Sequence, residues 1–549
     1  MRKYKKILCA LLVMVSCMPL GAISLANEAA PEAISPFLER LTTVKLKQTA
    51  DLLDEMAETG QPELLGLFET MLAGKLYYQK DSRALVELDK DGDGIYSAKS
   101  FFESSAIKSG VAKSAYKKIR VNNKLRSKLR ELIASMQLNS SDVALRQQSV
   151  ATMIGKLSPE LKVQLSERLN IEEDGDVKDS IATAIAVFDL AESDTIDTQL
   201  SSIDVLKTSL HPESRNALLS FVETHKSLDK EDVQTAVVAA EAALKKIDGK
   251  VKFYGFLEQL FFGLSLGSVL LLAAIGLSIT FGVMGVINMA HGEMMMLGAY
   301  TTYVIQLMLP NHIGLSILLA IPAAFCVSGL VGILIERGVI QFLKGRPLET
   351  LLATFGISLI LQQLVRTVFS PLNRQVVTPE WLSGSLVIND VLSITYNRLY
   401  ILIFALLVFA ALQLLLKYSK LGLNVRAVSQ NRSMARAMGI RTERVDALTF
   451  GLGSGVAGIA GVALSQLTNV GPNLGQAYII DSFMVVVFGG VGNLFGTLVG
   501  GFTLGVANKF LEPTMGAVMA NIVVLVFIIL FIQRRPQGLF PQKGRAAND

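Results

Sequence analysis

Apolar positions are distributed in two ways along this chain. Between about Asn27 and Lys250 they recur at helical spacing among many charged residues. After Gly255 they run together in stretches long enough to span a membrane. The clearest helical units of the first region are residues 142–157, 176–190, 196–210 and 232–247. The first of them places Val143, Val150, Ile154 and Leu157 on one face. Three units open with Asp-Val, where an aspartate caps the first turn. Pairs of units recur about every 34–36 residues, the period of a helix-pair solenoid of the HEAT type. Such arrays present concave surfaces to partners; an irregular helical bundle fits the same spacing.

Ahead of these units, residues 84–102 read ALVELDKDGDGIYSAKSFF. Asp89, Asp91, Asp93 and Gly94 imitate the first half of a calcium loop, but its twelfth position is Ser100 rather than a bidentate glutamate. A solvated turn between two strands is expected instead, with residues 75–78 and 84–88 as the strands and no metal. His211 and His225 stand in polar context and read as surface histidines.

In the second region, residues 256–284, 313–335, 351–369, 399–416, 447–467 and 516–533 are long enough to cross a bilayer. Two stretches depart from that plainness. Residues 287–300, INMAHGEMMMLGAY, put Asn288, His291 and Glu293 into apolar sequence flanked by Gly285, Gly292 and Gly298. Polar residues at membrane depth face a partner, a cavity or a pathway, and this spacing predicts a broken helix. Residues 478–509 are apolar but broken at Gly489, Gly490, Val491, Gly492 and Asn493. Glycines 451, 453, 455, 458 and 461, with Gly496 and Gly500, allow close helix packing.

Charge sets the orientation. Arg and Lys gather in residues 337–346, in residues 417–444 and after Arg534, which predicts that these three lie in the cytoplasm. At the other end, Met1 to Lys6 is basic, an apolar run follows, and Ser24-Leu25-Ala26 fits a signal-peptide cleavage site, which places the next segment outside. Both signals are satisfied if residues 287–309 return outward and residues 478–509 form a hairpin that starts and ends outside. The expected domains are a signal peptide at 1–26, an exported helical domain at 27–250 and a transmembrane domain at 251–549.

Composition narrows the function. The hydrophobic share is 51% with a mean hydropathy of +0.44, high for a wholly soluble protein. The net charge of +5 comes without any basic tract, which excludes a nucleic-acid partner. Cys9, Cys17 and Cys326 offer neither a disulfide framework nor metal-ligand spacing. No GxxxxGK[ST] occurs, so any nucleotide site belongs to a partner.

Met434 to Met438 is a short helix former that Gly439 would end, in a loop suited to a groove on a soluble partner. Ala435 and Gly439 resemble the EAA loop of ABC-importer permeases, although Ser433 and Met434 depart from its pattern. INMAHGEMMMLGAY, RAMGIRTERVDALTFGLGSGVAGIAGV (436–462), FGGVGNLFGTLVGG (488–501) and RPQGLF (535–540) together resemble the branched-chain amino-acid (LivH-type) ABC permease family over about residues 256–540. The long extension ahead of them is similar to that of the urea-transporter permeases of UrtB type.

The resemblance implies a mainly α fold: an exported HEAT-like domain, then a polytopic permease with broken helices. It implies a non-enzymatic subunit of an ATP-driven importer in the bacterial inner membrane, without cofactor or metal. The implied partners are a second, homologous permease, two cytoplasmic ATPases, a periplasmic substrate-binding protein and membrane lipid. Ala435, Met438 and Gly439 would couple ATPase motion to the spans. Asn288, His291, Glu293 and Asn493 are the candidate pathway residues, and Gly292, Gly489, Gly490 and Gly492 the broken-helix glycines. Urea needs amide and carboxylate partners, which these residues supply. Branched-chain amino acids or short amides are the alternative substrates. A receptor or scaffold using the exported repeats is the alternative of another class; a passive channel is disfavoured by the coupling loop. A structural role for His291 and Glu293, as a bonded pair holding the broken helix, fits the sequence equally well.

Overall fold

The computed structural model describes residues 35–541 except positions 47, 62, 91–95, 101–106, 110, 112 and 227–230. The expected leader with its cleavage site, and Asp91, Asp93 and Gly94 of the calcium-like run, lie outside the described residues. The chain divides into two compact units, Met1–Ile247 and Asp248–Asp549.

In the first unit, helices α1 (Ser35–Thr43), α2 (Thr49–Glu58) and α3 (Glu63–Leu72) precede a sheet. α3 buries Leu64, Leu67, Phe68 and Met71, an i, i+3, i+4, i+7 stripe. That stripe packs on Leu52, Leu53 and Met56 of α2 and on Leu76 and Leu85 of the sheet. Strands β1 (Leu76–Gln79), β2 (Leu85–Lys90), β3 (Tyr96–Ser100), β4 (Ile107–Ser109) and β5 (Tyr116–Lys118) form an antiparallel sheet in the order β4-β3-β2-β1-β5. The two expected strands are thus β1 and β2, with Tyr77 opposite Val86. The aspartate run does not join them. It follows β2 and leads to β3, where Ser100 pairs with Val86 as an ordinary strand residue.

Helices α4 (Asn123–Gln137), α5 (Val143–Met153), α6 (Pro159–Ile171), α7 (Gly175–Glu192), α8 (Ile196–Leu206) and α9 (Pro212–His225) complete the unit. The first unit is thus a small sheet plus helices, and the HEAT-like array expected for it is not shown. α5, α6, α8 and α9 all pack against α7. α7 can be central because Val177, Ile181, Ala184, Val187 and Leu190 bury more than one of its faces. The caps match the expected ones in part. Asp142 caps α5 through the Ala144 N–H, but Asp174, not Asp176, caps α7, and Val143 is exposed. His211 caps α9, with its Nδ1 accepting from the Glu213 N–H. Arg146 of α5 grips the buried Glu172 with two bonds of 2.8 and 3.0 Å, and Arg168 adds two more of 2.9 and 3.1 Å.

The unit boundary falls within α10 (Glu231–Met284). After it come α11 (His291–Met308), α12 (Ile313–Gly338), α13 (Pro347–Phe369), α14 (Tyr396–Tyr418), α15 (Lys420–Gln430), α16 (Arg432–Ala437), α17 (Thr442–Ser465), α18 (Leu474–Gly489), α19 (Leu494–Met515) and α20 (Ala517–Arg534). Among the described residues, α10, α12, α13, α14, α17, α19 and α20 are long and apolar enough to cross a membrane; α18 is apolar but shorter.

α17 is the centre of the second unit, buried along nearly its whole length. Its glycines let three helices approach by backbone contact. A Cβ at Gly298 of α11 would overlap the Gly458 carbonyl, and one at Gly276 of α10 would overlap the Gly453 carbonyl. On the third side, Gly332 of α12 sits against Ser454. With little hydrophobic drive between helices in lipid, such close packing is what holds them together. The break expected in residues 478–509 is the turn between α18 and α19, where Gly490 and Gly492 have φ of 107° and 76°.

Candidate translocation site and coupling helix

Gly285, at a φ of 65°, ends α10, and its N–H still bonds the Phe281 carbonyl at 2.9 Å. The Asn288 side chain then accepts from the Ala290 N–H at 3.0 Å and turns the chain into α11. His291, the first residue of α11, places Nε2 2.9 Å from the Ala273 carbonyl. Ala273 lies about 16 Å from Met284 along the axis of α10. α11 therefore opens beside the middle of α10 rather than at its end, as a broken membrane helix does.

Asn288, His291 and Glu293 are all buried. His291 and Glu293 point to different neighbours and do not bond each other. His291 is held by α10. Glu293 is held by α13, its Oε1 accepting from Ser358 Oγ at 2.9 Å and from Gln362 Nε2 at 2.7 Å. Gly292 lies between them, and a side chain there would overlap Gly475 of α18. Each polar residue keeps one buried atom without a hydrogen-bond partner among the described residues: Asn288 Nδ2, His291 Nδ1 and Glu293 Oε2. A cavity of about 180 Å³ touches Asn288 and Met289, walled by Leu277, Ile479 and Phe483.

Asn493 is not brought to this place. Its Oδ1 caps α19 by accepting from the Gly496 N–H at 3.1 Å, and its Nδ2 donates to the Phe540 carbonyl at 3.3 Å. Gly489 packs on Gly496, Gly490 on Phe540 and Gly492 on Gly282. Asn493 lines a separate cavity of about 910 Å³, together with Ser278, Gln413, Lys417, Arg426 and Gln430.

The wall facing the start of α11 is α13. Thr350, Thr354, Ser358, Gln362 and Arg366 stand four apart along it, a polar stripe on an otherwise apolar helix. Thr354 Oγ1 accepts from the Met289 N–H at 3.2 Å, Ser358 and Gln362 hold Glu293, and Arg366 donates to Asn473 at 2.8 Å. That spacing was the available signal for Thr354 and Ser358, which the sequence reasoning missed.

The basic loop folds as α15 and α16. Asn431 caps α16 through the Met434 N–H at 2.9 Å. Gly439, at a φ of 86°, ends it: its N–H bonds the Arg436 carbonyl and the Ile440 N–H bonds the Ala435 carbonyl, the paired bonds of a Schellman stop. Ala435 is buried among Val425, Val428 and Val445. Met434 and Met438 are 60% and 77% exposed. Also missed were the acids behind this helix. Asp446, fully buried, takes both arms of the Arg432 guanidinium at 2.8 Å and the Lys344 ammonium at 2.7 Å; Lys344 lies 3.2 Å from the buried Glu336.

Residues 259–532 match the family described as branched-chain amino acid transport system, permease component. The high-affinity branched-chain amino acid transport permease BraD of Pseudomonas aeruginosa is 32% identical over 298 residues, 52% of this chain and 96% of the relative. LivH of Salmonella typhimurium is 33% identical over the same shares. The ribose import permease RbsC of Escherichia coli is 25% identical over 50% of this chain and 84% of the relative. No solved structure matches. These relatives are transport permeases rather than enzymes, and each is covered almost end to end by about half of this chain. The chain is a multi-pass membrane protein belonging to the family of branched-chain amino acid transport-system permeases.

Proposed function

We propose that this permease imports urea, as a subunit of an ATP-driven transporter in the bacterial inner membrane with residues 27–250 on the periplasmic side. The observation that carries a small neutral solute is the buried start of α11. Asn288, His291 and Glu293 each keep one polar atom free there, opposite the polar stripe of α13. An amide donor, an imidazole nitrogen and a carboxylate acceptor match the N–H groups and carbonyl of urea. Glu293, the third residue of α11, already supplies a negative group to the positive end of the helix. That leaves this helix end little to offer a substrate carboxylate. Gly492 and Asn493 line the second cavity, beside α15, and with the turn at Gly489 and Gly490 are assigned to the inward end of the route.

The partners of this reading are a second, homologous permease, two cytoplasmic ATPases and a periplasmic binding protein. The exposed Met438 beside the buried Ala435, with Gly439 fixing the stop, would seat α16 in an ATPase groove. A second reading, import of branched-chain amino acids, is favoured by the names of the relatives. Uptake of radiolabelled urea and leucine at micromolar supply, in a strain lacking this gene, separates the two. Loss of urea uptake alone supports the proposal; loss of leucine uptake with intact urea uptake overturns it.

A further inference from the structure

We infer that Glu336, Lys344, Arg432 and Asp446 form a positioning cluster that makes the coupling helix α16 move as one body with α12 and α17. The inference rests on the reading of α16 as the element that receives ATPase motion.

The four side chains come from four places: the last turn of α12, the turn after it, the first residue of α16 and the first turns of α17. The Arg432 guanidinium meets both Asp446 oxygens at 2.8 Å, a two-pronged contact that fixes orientation as well as distance. Lys344 bridges Asp446 at 2.7 Å and Glu336 at 3.2 Å. Arg337 stands 3.9 Å from Glu336 as well, and both carboxylates are 1% exposed or less.

Exposed ion pairs hold little. Here, separating α16 from α17 would strip the buried Asp446 of its two-pronged guanidinium and leave it Lys344 alone, which is unfavourable. The remaining tethers of α16 are slight: Ala435 in its apolar patch and a 3.2 Å bond from Arg436 to Thr442. The cluster therefore decides whether a push on α16 bends the loop or carries α17 with it. Beyond Asp446 the route is stiff. α12 and α17 touch at Gly332 and Ser454, and about 22 Å farther along α17, Gly461 abuts Met295 and Ala299 of α11. Motion of α17 thus reaches the helix whose first turn carries His291 and Glu293.

The test uses the full transporter in proteoliposomes, with partner permease, ATPases and binding protein, and whichever of urea or leucine the wild type imports. The readout is ATP hydrolysed per solute imported. Substitutions along a coupling route shift coupling by about 2- to 30-fold. Asp446→Asn is expected to assemble and hydrolyse ATP near the wild-type rate while this ratio rises by about tenfold, and Asp446→Glu is expected to restore much of it. Equal losses of hydrolysis and import, or an unchanged ratio, would overturn the inference. If Asp446→Asn does not assemble, the charge-balanced double variant Glu336→Gln with Lys344→Met is read in the same way. A Met438→Cys variant is cross-linked in parallel to a cysteine in the ATPase groove. A missing cross-link refutes the reading of α16 itself; a cross-link with an unchanged ratio refutes only the cluster.

Discussion

Glu293 shows what a single residue contributes. Its carboxylate accepts from Ser358 and Gln362, and its second oxygen remains unpartnered among the described residues. Glu293→Gln removes the charge and turns one acceptor into a donor. Leaving a buried group unsatisfied costs about 1–3 kcal/mol, so uptake should fall by roughly tenfold or more. Assembly, followed by size-exclusion chromatography, should be unchanged; normal uptake would remove Glu293 from the pathway. Glu172 gives a residue-scale prediction in the first unit. Hydrogen bonds from Arg146, then from Arg168 and the Asp174 N–H, hold its carboxyl down to about 2. In the unfolded chain it titrates near about 4.3. A carboxyl lowered in this way favours folding above that value, and the contribution fades as pH falls from about 4.3 toward 2. Acid unfolding followed by circular dichroism should lose this limb in Glu172→Gln; identical acid curves would contradict it. Asn288, His291 and Glu293 were legible as polar letters in apolar sequence. Asp446 and Glu336 were not, because Glu336 adjoins Arg337 and Asp446 closes the basic stretch that ends in Arg444, so both read as ordinary loop charges. Burial, which sequence does not display, is what sets them apart.

At the scale of elements, the spans were legible because lipid requires long apolar runs, and the hairpin of α18 and α19 because glycines cluster at its turn. The first unit was less so. Its units do form helices, but a helical period says which face is apolar, not what that face meets, and it did not say that α7 would pack against four helices. The shared glycine faces yield a sharper prediction. A Cβ at Gly458 would stand 2.5 Å from the Ala324 carbonyl and 2.6 Å from Ser328 Oγ. Gly458→Val should therefore destabilise the detergent-solubilised protein by about 1–3 kcal/mol or more, visible as a lower midpoint of thermal unfolding. An unchanged midpoint would mean that α12 and α17 are not in backbone contact. Gly439 acts differently, since nothing lies within 4 Å of a Cβ there and only its φ of 86° resists substitution. Gly439→Ala should cost about 1–2 kcal/mol in local conformation, seen as faster hydrogen exchange across α16 with the spans unaffected.

For the second unit as a whole, contacts between helix ends sort the connections into two sets. The turn carrying Lys344 meets the start of α17, and the C-terminal segment bonds Gly489 and Asn493 at the hairpin turn. On the other set, Gln306 clasps the Val377 backbone with two bonds of 2.8 Å, and Arg374 bridges Val470. This sorting puts the two ends of α18 on opposite sides, as expected of the outer arm of a hairpin. It predicts that a cysteine at the exposed Val387 reacts with a membrane-impermeant reagent in spheroplasts while one at Met438 does not; the reverse pattern would invert the orientation. The substrate was never legible at this scale, because a fold shared with amino acid and sugar permeases leaves the choice to a few buried polar atoms. The most direct test of the central claim is therefore urea accumulation in proteoliposomes holding the assembled transporter and its binding protein. The account predicts uptake that requires ATP, falls by roughly tenfold or more in Glu293→Gln and is not competed by leucine. ATP-driven uptake of leucine with no movement of urea would contradict it.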